Sequence, residues 1–193
     1  MSSFVKETLI LMIKLFLICV VVAGILAFVN AVTLPIIASN DQKVFEESMK
    51  KVLPEASEFN EIKEMQFIPS ESGVELESIY HSEAGYVVTT VCHEGYGGDI
   101  KVMVGINKEN EVTNIEIMSM SETAGLGAKA GTSEFMSQYS GLKENIGVEK
   151  NNGGSPEKNT ISAISGATVT SKAVTKAVNC AIEAAKQGGA VSE

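Results

Sequence analysis

The chain has 193 residues, 45% of them hydrophobic, and 24 acidic against 15 basic side chains give it a formal charge of −9. That apolar share supports one domain of ordinary size with a real core plus an attachment, which excludes a disordered tail. The acidic balance leaves no basic face for a phosphate backbone, so nucleic acid is not an expected partner.

Three cysteines, Cys19, Cys92 and Cys180, are too few and too scattered for a disulfide scaffold. No CxxC spacing is present to hold zinc or an iron–sulfur cluster. Free or buried thiols are expected, with a Cys92–Cys180 bridge left open if the domain lies in an oxidising compartment.

From Leu9 to Val29 the chain is apolar except for Lys14. At 1.5 Å per residue this run spans roughly 30 Å, the thickness of the hydrocarbon layer. Its Leu, Ile, Val and Phe residues, at about −0.3 to −0.6 kcal/mol each, outweigh the cost of Lys14, at most about 3.5 kcal/mol and less if the ammonium snorkels. A single membrane anchor is therefore expected. The competing reading is a cleaved signal peptide with Lys6 as its basic start and "VNA" at 29–31 as its cleavage site. The run outlasts a usual signal core, which favours the anchor. Lys43, Lys50 and Lys51 lie after the span and Lys6 before it, so lysine counting leans towards a cytoplasmic carboxyl side, although long domains cross regardless of charge.

After Pro35, Ser39 or Asn40 is placed to cap a helix carrying Val44, Phe45, Met49 and Val52 on one side and ending near Pro54. Strand-like alternation follows in two runs, residues 78–95 and 99–120, the second broken by the polar turn "NKEN", and predicts an antiparallel hairpin. "TSEFMSQYSG" reads as a short helix, "IGVEK" as a strand and "NNGGSPEKN" as a surface loop. Val174, Ala177, Val178, Ala181, Ile182 and Ala185 then recur at helical spacing, with Gly188 and Gly189 as the expected stop. The expected architecture is α+β: an anchor over 1–38, a helical entry over 39–76 and a domain over 77–193 with a mainly antiparallel sheet packed by helices.

The stretch "ISAISGATVTSKAVTKAV" sets small and hydroxyl-bearing residues before that last apolar stripe. Gly166 permits a tight turn, and Thr168, Thr170 or Ser171 can cap the helix. The helix start also presents unpaired amides, a setting that suits a phosphate but orients an anion better than it retains one.

"SGAT" followed by "VTS" resembles the attachment motif of the FMN-binding domains in the G subunit of the Rnf electron-transport complex and the C subunit of sodium-pumping NADH:quinone oxidoreductase. "GYGGDIKVMVGI", with Tyr96, is similar to that family's strand-entry turn, and "SETAGLGAK" to its flavin-side loop. The resemblance implies that Thr168 carries FMN through a phosphoester made by a separate flavin transferase. It further implies that Ser165, Gly166, Ala167 and Thr170 surround the attachment, and that Glu122, Thr123, Gly125, Leu126, Gly127 and Lys129 line the flavin. Ser162 stands where the family often has an acidic residue, and Ala124 where its loop commonly has proline. The partners implied are the other membrane subunits of an Rnf-type complex, the transferase and the lipid bilayer, with the domain on the extracytoplasmic side. The chain would then be a redox subunit without a substrate site of its own. A free-standing anchored flavin reductase and a non-redox anchored binding domain are the alternatives.

"GLGAKAG" half-matches a dinucleotide fingerprint, but its third glycine comes one place late and it follows a hairpin strand. His81, His93 and Glu94 lack ligand spacing, so no metal is expected.

Overall fold

A computed structural model describes residues 3–63, 65, 67–150 and 153–191. The chain divides into two compact units, residues 1–46 and 47–193.

The first unit is occupied by the long helix α1, Ser3–Val52. Leu11, Leu15, Phe16, Leu26 and Phe28 are 64 to 71% exposed, a surface that water does not tolerate over such a length. Among the described residues α1 is the one helix long and apolar enough to cross a membrane, with a mean hydropathy of 3.0 over its most apolar window. The helix runs through Pro35, which cannot donate to the carbonyl of Ala31, and continues without a new start. The separate helix expected from Ser39 or Asn40 is therefore the last part of α1, ending at Val52 just before Pro54. Propensity and apolar pattern carry the helix across a region where cap-forming residues alone suggested a break.

The second unit is built on a five-stranded antiparallel meander in the order β1 (Asn60–Glu61), β2 (Val74–Ser82), β3 (Gly85–Cys92), β4 (Ile100–Asn107), β5 (Val112–Met120). The single hairpin expected from the sequence is thus one of four consecutive antiparallel pairs. Residues 78–95 hide a tight turn at Glu83 and Ala84, whose amide at Ala84 donates to the Ser82 hydroxyl, and the hydroxyl in turn donates to the Gly85 carbonyl. At the "NKEN" turn, Asn107 Oδ1 accepts the Glu109 and Glu111 amides, and Asn110 adopts the left-handed region open to Asn.

Side chains alternate between the two faces of the sheet. Val88, Thr90, Cys92, Val102, Val104 and Ile115 face α3 (Thr168–Val191), whose buried stripe of Val174, Ala177, Val178, Ala181 and Ile182 lies across β2, β3 and β4. Each fully buried Val or Ile stabilises this contact by about 1.5–3 kcal/mol. One polar bond crosses the interface, from the Thr90 hydroxyl to the Ala177 carbonyl at 3.1 Å. The opposite face, carrying Val87, Met103 and Gly105, is covered by the end of α1: Thr113 and Asn114 donate to the carbonyls of Val52 and Lys51.

The expected short helix is α2 (Ser133–Met136), capped by Thr132 and extended by a tight turn over Ser137–Tyr139. "IGVEK" supplies β6 (Gly147–Glu149), paired in parallel with β7 (Thr160–Ser162). Gly188 and Gly189 do not stop α3, which continues to Val191; Gly188 is buried beside Ile79 and Tyr86, so the missing side chain serves packing there. Cys92 and Cys180 are free and fully buried, and burial pushes both thiols up, Cys180 to about 12. Thiolates, the reactive form, are thereby suppressed.

Candidate functional site

The start of α3 is formed by a turn, not by a capping side chain. The Ala167 amide donates to the Ile164 carbonyl at 2.9 Å, closing a turn over Ser165 and Gly166, and Gly166 takes a φ of 76° that the third position of such a turn demands. Ala167 occupies the cap position, its carbonyl accepting the Ser171 amide at 3.1 Å. None of the three hydroxyls expected as caps plays that part. Ser171 Oγ donates back to the Ala167 carbonyl and accepts the Ile164 amide. Thr170 Oγ1 donates to Glu122 Oε2 at 3.0 Å. No described side chain accepts from the amides of Thr168, Val169 and Thr170, which remain available at the positive end of the helix.

Thr168 differs from its neighbours. Of the hydroxyls along the first two turns of α3, those of Thr170, Ser171 and Thr175 are each committed to a partner inside the protein. The Thr168 hydroxyl makes no hydrogen bond to a described residue, and its residue is half-buried.

Three remote segments meet beside this helix start. Glu122 joins them: Oε1 accepts the Gly97 amide at 3.2 Å, from the β3–β4 loop, while Oε2 accepts the Thr170 hydroxyl. Gly127 packs into the same joint, where a Cβ would lie 2.4 Å from Glu122 Oε2 and 2.7 Å from Thr170 Oγ1. Any larger residue there would break the clamp. The result is a cleft of about 490 Å³ lined by Tyr96, Glu122, Thr123, Leu126, Gly127, Gly166, Ala167, Thr168, Val169 and Thr170. Its size is ordinary for a cofactor site.

Nine of the twelve residues singled out in the sequence line this cleft, and Val169 is added to them. Val169 was legible only as the unremarkable residue between two threonines. Lys129 and Ser165 line a second cavity of about 420 Å³, with Thr132, Glu134, Gln138 and Ser162 among its walls. Gly125 lines neither and instead turns the 121–127 loop with a φ of 79°. Lys129 therefore sits on a different wall from Glu122, and among the described residues the cleft is lined by one carboxylate and no cationic side chain.

The residues of the cleft fit a flavin mononucleotide: free amides and an uncommitted hydroxyl for its phosphate end, apolar and aromatic groups at the mouth for its ring. Residues 95–183, which include the residues lining this cleft, match the family model of the FMN-binding domain. The chain is 37% identical, over 88% of its length and 87% of the relative, to the G subunit of the Na(+)-translocating ferredoxin:NAD(+) oxidoreductase complex of Acetobacterium woodii. It is 32% identical to the proton-translocating counterpart of Clostridium ljungdahlii, over 86% of this chain and 84% of that one. With the G subunit of the ion-translocating oxidoreductase complex of Methanosarcina acetivorans it shares 31% identity over 92% and 94%. The chain belongs to this family, the G subunits of Rnf-type ion-translocating oxidoreductase complexes that carry an FMN-binding domain.

Proposed function

We propose that the chain is the electron-relaying G subunit of a membrane-bound, ion-translocating ferredoxin:NAD oxidoreductase, with FMN esterified to Thr168. The observation that carries this reading is the pairing of one uncommitted hydroxyl with three unpartnered amides at the head of a cleft. The helix end contributes about 0.3–1 kcal/mol towards an anion, or about 2 kcal/mol when partly buried. Glu122, the single charged side chain of the cleft, opposes a phosphate. Non-covalent retention would be weak on these terms, and an ester from Thr168 Oγ1 removes dissociation altogether.

The cofactor supplies the redox chemistry, accepting and releasing electrons one or two at a time. The protein's part is retention and placement. Thr168 provides the oxygen, and the amides of 168–170 orient the phosphate. Thr123, Leu126, Gly127, Gly166 and Ala167 wall the cleft, Thr170 and Glu122 hold its sides together, and Ser165, Gly125 and Lys129 shape the adjoining turns and second cavity. Glu122 is already bonded to Gly97 and Thr170, so no base within the cleft is directed at Thr168. A separate flavin transferase would have to take the hydroxyl proton during attachment and supply the flavin as an activated nucleotide. The bond from phosphorus to Thr168 Oγ1 would then form as the bond to the nucleotide's leaving phosphate group breaks.

No distinct substrate site is needed for a relay between neighbouring subunits. Residues 1–38 would anchor the chain in the lipid bilayer beside those subunits, residues 39–76 would lead out of it, and residues 77–193 would hold the flavin on the extracytoplasmic side. Denaturing gel electrophoresis of protein from its native host tests the linkage. The unfolded wild-type band should fluoresce yellow-green under ultraviolet light, Thr168→Ala should not, and Thr170→Ala should. Fluorescence that persists in Thr168→Ala would disprove the attachment site.

A further inference from the structure

Residues 67–73 lead into β2 and are tied to α3 at two points. The Ser70 amide donates to Glu183 Oε2 at 3.1 Å, and the Ser70 hydroxyl donates to Glu183 Oε1. The next residue, Glu71, meets Lys176 Nζ at 3.8 Å, and the same ammonium donates to Glu94 Oε2 at 2.9 Å. Lys176, Cys180 and Glu183 are spaced i, i+4 and i+7, which sets them in one row along α3. Consecutive residues that reach the two ends of that row place the backbone of Ser70 and Glu71 across its middle, over Cys180. Cys180 is fully buried, and Glu183 and Glu71 add to the burial that holds its thiol protonated.

This crossing segment is lightly held. Among the described residues the backbone of 67–70 makes one hydrogen bond, from the Ser70 amide to the Glu183 carboxylate. Phe67 is only partly buried against the core, and Ile68 is 86% exposed. The bonds to Glu183 and Lys176 are exposed to solvent, where such contacts contribute little. At the end of the segment the Gly73 carbonyl accepts the His93 amide at 2.8 Å, which fixes Gly73 to the sheet. Cys92 is held differently: it stands in β3, paired with Val74 of β2 on one side and Ile100 of β4 on the other, under α3. A segment with few buried apolar contacts and few backbone bonds opens well below the free energy of global unfolding, whereas a strand bonded on both sides opens with the whole domain.

We propose that residues 67–73 form a strap, hinged at Gly73, that opens by itself and that, when closed, keeps the Cys180 thiol out of reach of disulfides and other thiol-reactive solutes. Opening requires the Ser70–Glu183 and Glu71–Lys176 contacts to part and Phe67 to lift from the core. The sheet stays intact, and Cys92 stays covered.

The test is alkylation by N-ethylmaleimide of the full-length, folded chain in detergent, with Cys19→Ala removing the exposed thiol of α1. Peptide mapping reads Cys180 and Cys92 separately, each rate being divided by that of the same thiol in the unfolded chain. Cys180 should react several-fold faster than Cys92. Glu183→Ala, which removes both bonds to Ser70, should speed Cys180 several-fold further and leave Cys92 unchanged. Ser70→Ala, which removes one of those bonds without altering α3, should act in the same direction and less strongly. Two thiols that react at one common rate would overturn the strap, as would a Cys180 rate that these substitutions leave alone or raise only in step with Cys92.

Discussion

The first turn of α3 and its middle use the same residue types for opposite ends. In the middle, Thr175 donates to the Ser171 carbonyl at 2.9 Å and meets the Tyr139 hydroxyl at 2.8 Å, and all these groups are fully or almost fully buried. At the start, Thr168 is half-buried and its hydroxyl makes no hydrogen bond to a described residue. A buried hydroxyl must be bonded or it costs stability, whereas one at a cleft is free to be used. The difference separates hydroxyls that hold the fold from the one left available at the cleft.

The largest expected effect breaks that contrast at the cleft. Thr168→Ala should remove all covalent flavin and yet leave the urea midpoint of the unloaded protein unchanged, because no internal bond is lost.

The reverse pattern is expected inside. Thr175→Val should leave the Tyr139 hydroxyl buried without a partner and lower the unfolding free energy by about 1–3 kcal/mol, with the flavin band retained. Burial already holds the Tyr139 phenol far above its ordinary titration range, so ionisation offers it no escape.

A third hydroxyl sharpens the rule. Thr89, on the sheet face covered by the end of α1, is fully buried and its Oγ1 has no partner among the described residues. Thr89→Val, nearly the same shape, should therefore stabilise the domain by about 1 kcal/mol in urea titration.

The smallest effect concerns the loop that carries Tyr96. The hydrogen bond and charge of Asp99, with help from Glu75, raise the pKa of His93 above its ordinary 6.5. A raised folded pKa means that the stabilisation is complete below about pH 6.5 and is lost as pH rises through the higher folded value. His93→Gln should consequently destabilise slightly at pH 6 and not at pH 9, as the difference in urea midpoint would show.

What the sequence revealed follows from how local each signal is. The stripe from Val174 to Ala185 predicted a packed helix because a period of 3.6 is written into neighbouring residues, and α3 lies there. The turn at Glu83 and Ala84 was missed because it has no Asn-Gly or Pro-Gly pair; the Ser82 hydroxyl makes it instead. Gly188 and Gly189 misled in the other direction, since packing against Ile79 and Tyr86 outweighs the helix-breaking tendency of glycine. At the cleft, motif resemblance brought out nine lining residues. It could not show that Glu122 ties Gly97 to Thr170, that Lys129 faces another cavity, or that Val169 joins the rim, because those depend on contacts between distant segments.

Intact-mass analysis of the chain purified from its native host, followed by peptide mapping, asks whether Thr168 carries the flavin. The expected result is a mass raised by one esterified FMN, with the added group on the peptide containing Thr168. A chain at the bare polypeptide mass, or an adduct carried by another residue, would contradict it.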